Sequence, residues 1–358
     1  MRLFLNPAVR RDGTFRGLFT EAEYAELRAY ASTHQEHPPT PLVRLTTRAG
    51  AIGVAAIHAK DETSRHGVNA FKITGVSYAV ERLGATAISR GLVCATAGNH
   101  GRAVARVARH KGAPCTVFLP VARTADPLES RTRAARVDAM REDGATVIEI
   151  DGTYEEAVRR ASAFGAQSGA TVVSDTAWDG YEQIPRWIMT GYTQLFEEAS
   201  LQWDVPPTVV VLQGGVGGLV CAGASWFAAR YGASRPFIIA AEPEHAACLL
   251  ESAQAGQPTA TKDSLDTIMA GLRCAEPSSL AWPAIEAGVD AFVTVSDATA
   301  IEVINSLASA PPDERINAGP SGVCGLAALR EIASAPERER ARLDGDARVL
   351  VVITEGAS

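Results

Sequence analysis

Short β-branched runs that alternate with alanine-rich helical stretches restrict the architecture of this chain more than any other feature. Gly53-Val-Ala-Ala-Ile-His, Pro114-Cys-Thr-Val-Phe-Leu, Thr146-Val-Ile-Glu-Ile, Thr208-Val-Val-Val-Leu and Val349-Leu-Val-Val-Ile read as strands. Between them, residues 101–111 carry Val104, Val107 and Ala108 at helical spacing, and residues 153–165 carry Ala157, Val158 and Ala161. Parallel strands need long crossovers, and helices of this length supply them, so the expected class is α/β with largely parallel sheets. A chain of 358 residues is long for one core, and two packed units are expected.

Composition narrows the partners. The chain has 34 Lys and Arg against 41 Asp and Glu, a net charge of −7, with no block of like charge. Nucleic acid and an anionic membrane are therefore not expected partners, and a small molecule is. Cys94, Cys115, Cys221, Cys248, Cys274 and Cys324 form no Cys-x-x-Cys pair, so neither a zinc cluster nor a disulfide framework is expected; they read as reduced, buried small residues, and no metal site is assigned. Met1-Arg-Leu-Phe-Leu-Asn-Pro lacks the apolar core of a signal peptide, and no apolar run approaches the roughly 20 residues of a membrane span, which points to a cytoplasmic protein. Leu201-Gln-Trp-Asp-Val-Pro-Pro reads as a connector.

Four segments carry candidate chemistry. In Asn69-Ala-Phe-Lys72-Ile a single lysine follows the charged stretch Lys60-Asp-Glu-Thr-Ser-Arg65. A desolvated amine there is a nucleophile able to form an imine with an aldehyde; the competing reading is a lysine that snorkels from an amphipathic helix. Strand Thr208-Val-Val-Val-Leu runs through Gln213-Gly-Gly-Val-Gly-Gly218 into a helical pattern over residues 219–230, which is an anion site built from main-chain N–H groups and the helix dipole. A dinucleotide loop is the alternative, with Glu242 at a strand end as its ribose acid, but the third fingerprint glycine would fall at Val220. Thr96-Ala-Gly98-Asn99-His100 precedes another helix and suits either a substrate carboxylate or a simple N-terminal cap. Asp175, after Thr171-Val-Val, is either a general acid/base or the cap of the next helix.

Taken with Val352-Ile-Thr354-Glu-Gly, these segments resemble, in order, the fold-type II pyridoxal 5'-phosphate enzymes, the tryptophan synthase β-subunit superfamily, and within it the diaminopropionate ammonia-lyases. The resemblance runs from Thr40-Pro-Leu-Val-Arg-Leu to Gly356, through Gly98-Asn-His-Gly-Arg, Asp175-Thr-Ala-Trp-Asp-Gly-Tyr, Ile184-Pro-Arg-Trp-Ile-Met and Thr267-Ile-Met-Ala-Gly-Leu. It implies a fold-type II enzyme of two α/β domains, with mainly parallel twisted sheets and the cofactor in the cleft between them. Residues 1–82 with 201–358 would form the large cofactor-binding domain, and residues 83–200 a smaller one inserted in it. It implies pyridoxal 5'-phosphate joined to Lys72, with Asn99 on its phenolic oxygen, Gly215, Val216, Gly217, Gly218 and Leu219 around its phosphate, and Thr354 facing its ring nitrogen. Thr96, Ala97, Gly98, Asn99 and His100 would receive the substrate carboxylate, and Asp175 would act as an acid/base. A homodimer is implied as well.

The expected reaction is β-elimination on a small L-amino acid, giving pyruvate and ammonia from 2,3-diaminopropionate. A β-replacement synthase or a serine/threonine-type dehydratase is the alternative, and a nicotinamide-dependent oxidoreductase the outsider. Two positions depart from the pattern: Ala97 stands where the resembled lyases have an aspartate linked to deprotonation of the D-isomer, and Pro320 stands where they have an acidic residue. With Ala97 unable to take a proton, L-selectivity is expected.

Overall fold

Two sheets divide the strands of the computed structural model, which describes the chain except residues 35–37, 97, 122–126 and 358 and the side chains of residues 127–132. Strands β1 (Leu3–Leu5), β2 (Leu42–Arg44), β3 (Ala56–Asp61), β8 (Val209–Gln213), β9 (Phe237–Pro243), β10 (Ala291–Val295) and β11 (Arg348–Ile353) form the larger sheet in the order β1-β10-β9-β8-β11-β3-β2. Its inner pairs are parallel, and the edge pairs β1/β10 and β2/β3 are antiparallel. Strands β4 (Leu92–Ala95), β5 (Cys115–Pro120), β6 (Thr146–Ile150) and β7 (Thr171–Val172) form an all-parallel sheet in the order β6-β5-β4-β7. The α/β class with mainly parallel sheets is as expected. One strand starts late: β3 begins at Ala56 because Gly53, at φ +75°, closes the preceding helix Thr46–Ile52.

Both faces of the large sheet are buried, which is why its central strands are continuously apolar. Val210, Leu212, Ile238, Leu350 and Val352 pack on one side with the helix Gly218–Tyr231, while Val209, Val211, Ile239, Val349 and Val351 pack on the other with the helix Cys324–Ala333. Three charged residues at the end of β3 and just after it, Lys60, Glu62 and Arg65, are buried. Lys60 Nζ donates to Glu198 Oε2 at 2.7 Å and to the Thr40 carbonyl at 2.7 Å. Arg65 donates through Nε to Glu62 at 2.7 Å and through both terminal nitrogens to Glu198 at 2.8 and 2.7 Å. Two cations and two carboxylates thus neutralise one another, and removing any one would leave a buried charge unpaired at a cost of about 3–5 kcal/mol.

That cluster anchors the turn leading to the helix Lys72–Glu81, which crosses the helix Gln183–Tyr192 at very close range. A Cβ on Gly75 would lie 2.5 Å from the Ile188 carbonyl oxygen, and one on Gly191 would lie 2.7 Å from Gly75 Cα. Only glycine permits this approach, and it sets the position of the helix whose first residue is Lys72. No helix among the described residues is long and apolar enough to cross a membrane.

Candidate active site

One cavity brings Lys72, Thr96, Gly98, Asn99, His100, Asp175, Gly215, Val216, Gly217, Gly218, Leu219 and Thr354 together. Main-chain bonds position Lys72: Asn69 takes φ +60°, its carbonyl accepts from Gly356 N–H at 2.9 Å, and Phe71 N–H donates to the Thr354 carbonyl at 3.0 Å. The lysine therefore opens its helix beside the end of β11.

Lys72 Nζ pairs with Asp175 Oδ2. Burial works against the ammonium, but the Asp175 carboxylate outweighs it and holds the lysine above its usual range. The nucleophile expected to be neutral is thus charged while Asp175 is its partner. Burial likewise opposes the carboxylate, yet the Lys72 ammonium holds Asp175 well below the usual range. The helix after Asp175 starts at Gln183, with Glu182 at its cap position, so Asp175 is not its cap.

His100 Nε2 lies 2.8 Å from the Val173 carbonyl, which fixes that nitrogen as the N–H donor. Its Nδ1 is buried without a hydrogen-bond partner, 3.8 Å from Asp175 Oδ2. Burial lowers the His100 pKa, so the ring is neutral and turns a lone pair toward Asp175. Thr96 organises its own turn, its hydroxyl accepting from Gly98 N–H at 2.8 Å and Gly101 N–H at 3.2 Å. Ala97 lies outside the described residues.

The glycine loop leads into the helix Gly218–Tyr231 with no side chain capping it. Gly217 has φ +94° and a Cβ there would lie 2.4 Å from Ile285 Cδ1; one on Gly215 would lie 2.9 Å from Cys274 Sγ. The bare turn leaves main-chain N–H groups to an anion. Thr354 Oγ1 accepts from Gln213 Nε2 at 2.9 Å. Asn99, first residue of the helix Asn99–His110, donates through Nδ2 to Glu355 Oε2.

Sequence reasoning missed Gln213, Glu355, Ser321, Tyr154, Arg273 and Cys274, which line the same cavity. Gln213 and Glu355 stand inside the glycine-loop and C-terminal motifs themselves but were given no role there. Tyr154 opens a helix read only as a crossover, and nothing in its spacing marks it. Burial pushes the Cys274 thiol up to about 12.

An uncapped phosphate cup, a lysine and a threonine hydroxyl around one cleft suit pyridoxal 5'-phosphate, and the chain belongs to the family of pyridoxal-phosphate dependent enzymes, which it matches over residues 34–355. It is 34% identical to the diaminopropionate ammonia-lyase of Escherichia coli (strain K12), over 96% of this chain and 91% of that one. It superimposes with a TM-score of 0.88 on the crystal structure of that lyase from Escherichia coli in complex with an aminoacrylate-PLP azomethine reaction intermediate, at 33% identity over 99% of this chain and 93% of that one. The biosynthetic L-threonine dehydratase of Mycobacterium leprae (strain TN) is 27% identical over 82% of this chain and 64% of its own length. The nicotinamide reading is overturned. Glu242 is fully buried and accepts from Leu249 N–H at 2.7 Å and Leu250 N–H at 2.8 Å, so it caps the helix Cys248–Ala255 instead of facing a ribose.

The residues present fit the cofactor's phosphate: Gly215 and Gly217 have no room for a side chain that would crowd the turn, and the helix start has no competing cap.

Proposed function

We propose that this protein eliminates ammonia from 2,3-diaminopropionate to leave pyruvate, with selectivity for the L-isomer. The observation that carries the reading is the pairing of a half-buried Lys72 with the buried Asp175 and His100 beside the glycine cup, in a chain 34% identical to a diaminopropionate ammonia-lyase.

Pyridoxal 5'-phosphate, when bound, supplies an aldehyde to which amines add and a ring that takes up the electron pair left at Cα. The main-chain N–H groups of residues 215–219 hold its phosphate, and Asn99 donates to its ring oxygen. Because Gln213 already donates to Thr354 Oγ1, the threonine keeps its own hydrogen for the ring nitrogen. A hydroxyl does not keep that nitrogen protonated, which favours prompt loss of a β-group over storage of charge at Cα. Residues 96–100 receive the substrate carboxylate.

With its nitrogen free and neutral, Lys72 would take the α-proton of an L-configured substrate. Asp175 changes character in the same event. Its low pKa depends on the Lys72 ammonium, and once the lysine nitrogen is neutral, burial raises the carboxyl, which then takes up the proton that the substrate ammonium gives up and delivers it to the departing β-amine. His100 Nδ1 offers a lone pair on the same side of that carboxyl. The Cα–H and Cβ–N bonds break, ammonia leaves, and water converts the released enamine to pyruvate and a second ammonia.

L-selectivity rests on Lys72 as the base and on Ala97, whose methyl group takes no proton. We further propose that residues 1–82 with 201–358 and residues 83–200 form two units closing over the site, and that the enzyme is a homodimer. Incubating the holoenzyme with L- and D-2,3-diaminopropionate, L-serine and L-threonine tests the reading. Expected are pyruvate from the L-diamino acid with twice as much ammonia, and little from the D-isomer. Preference for a hydroxyamino acid would favour a dehydratase, and equal turnover of the two isomers would remove the role given to Ala97.

A further inference from the structure

Glu355 has no part in the chemistry described so far, yet the structure builds a place for it. It is only 3% exposed, lines the active-site cavity and enters no ion pair among the described residues. Its two oxygens are used separately: Oε1 accepts from Ser321 N–H at 2.9 Å, and Oε2 accepts from Asn99 Nδ2. The loop around it is cut to fit, since a Cβ on Gly319 would lie 3.0 Å from Oε1 and one on Gly322 would lie 3.2 Å from Cγ. Burying a carboxylate costs several kcal/mol, and two separate N–H donors are what offset it here.

We propose that Glu355 is a positioning residue that fixes the side-chain amide of Asn99 as a hydrogen-bond donor toward the cofactor's ring oxygen. The proposal rests on Asn99 facing that oxygen, as in the reading above. A carboxylate only accepts, so Asn99 must turn its NH2 group to Glu355; the flipped amide would set two acceptors against each other. The amide nitrogen keeps a second hydrogen for the cavity that both residues line. A donor held there stabilises an oxygen that carries negative charge. A neutral glutamine at 355 would present one acceptor and one donor to two N–H groups, so the two contacts cannot both be satisfied without the carboxylate.

The test is the visible absorption of the holoenzyme against pH, without any amino-acid substrate. In Glu355→Gln the midpoint of the cofactor's spectral titration is expected to move by about one pH unit, and its dissociation constant to rise roughly tenfold, the scale of a hydrogen bond to a charged group. In Asn99→Ala the same readouts move, and adding Glu355→Gln to Asn99→Ala moves them no further, because Glu355 acts through Asn99. An unshifted titration in Glu355→Gln, or additive shifts in the double variant, overturns the proposal. If circular dichroism shows the glutamine variant unfolded, Glu355→Asp replaces it: its shorter carboxylate cannot hold Ser321 and Asn99 together, and an unchanged titration there overturns the proposal equally. No substrate enters the measurement, so a different physiological substrate leaves the result intact.

Discussion

Lys72 and Asp175 hold each other in the charged state, and the loss of that pairing when the lysine nitrogen becomes neutral is the centre of the proposed chemistry. Asp175→Asn removes the proton carrier while keeping the shape of the side chain. Elimination from L-2,3-diaminopropionate is expected to fall about 10²–10⁴-fold with the yellow cofactor colour retained, measured by pyruvate release and absorbance. Unchanged turnover would place the proton elsewhere. At this scale the sequence was ambiguous for a physical reason. An aspartate after a strand serves equally as cap or acid, and what separates the two is a lysine 103 positions away, invisible to local pattern. Glu355 was hidden in the same way, since its neighbours Asn99 and Ser321 reach it only through the fold.

Elements were easier to read than residues, because hydrophobic period and glycine turns are local. β6 and the helix Gly218–Tyr231 fall within a residue of their expected bounds, while β3 is displaced at both ends: a left-handed glycine moves its start, and the strand runs on to Asp61. The end of β9 shows where pattern failed: Glu242 stands at the position a dinucleotide enzyme would use, yet it serves a helix start. Burial raises its carboxyl from 4.5 to about 8 despite the two N–H groups that favour the charge. The folded state therefore holds a proton that the unfolded chain releases across this window. Its contribution to stability is full below pH 4.5 and declines as pH rises toward about 8. The unfolding free energy of the wild type is expected to fall between pH 5 and 8 by a few kcal/mol, on the order of the shift, and the melting temperature with it. Glu242→Gln should flatten that slope, and an identical slope in both proteins would assign it to other groups.

Across the whole molecule the site depends on contacts between parts that belong to different sheets. Ser278 is one such joint, buried between the loop after Asp175 and the glycine cup: Ala177 N–H donates to its hydroxyl at 3.1 Å, and its own N–H donates to the Val216 carbonyl at 2.9 Å. Ser278→Ala strands the Ala177 N–H at about 1–3 kcal/mol. Steady-state kinetics are expected to show KM raised about tenfold with cofactor affinity nearly unchanged, since the cup's glycines remain; an unaltered KM would show that the joint does not bear on substrate binding.

Strand order has a further consequence for how the protein is made. β11 lies between β8 and β3 in the large sheet, yet it follows both in the chain, and Thr354 and Glu355 come after it. The four-stranded sheet uses only residues 92–172 and has all its strands early in synthesis. On the ribosome, then, the smaller sheet can assemble while the larger one waits with the edges of β3 and β8 open, and the cofactor pocket cannot close before residues 348–355 have been made.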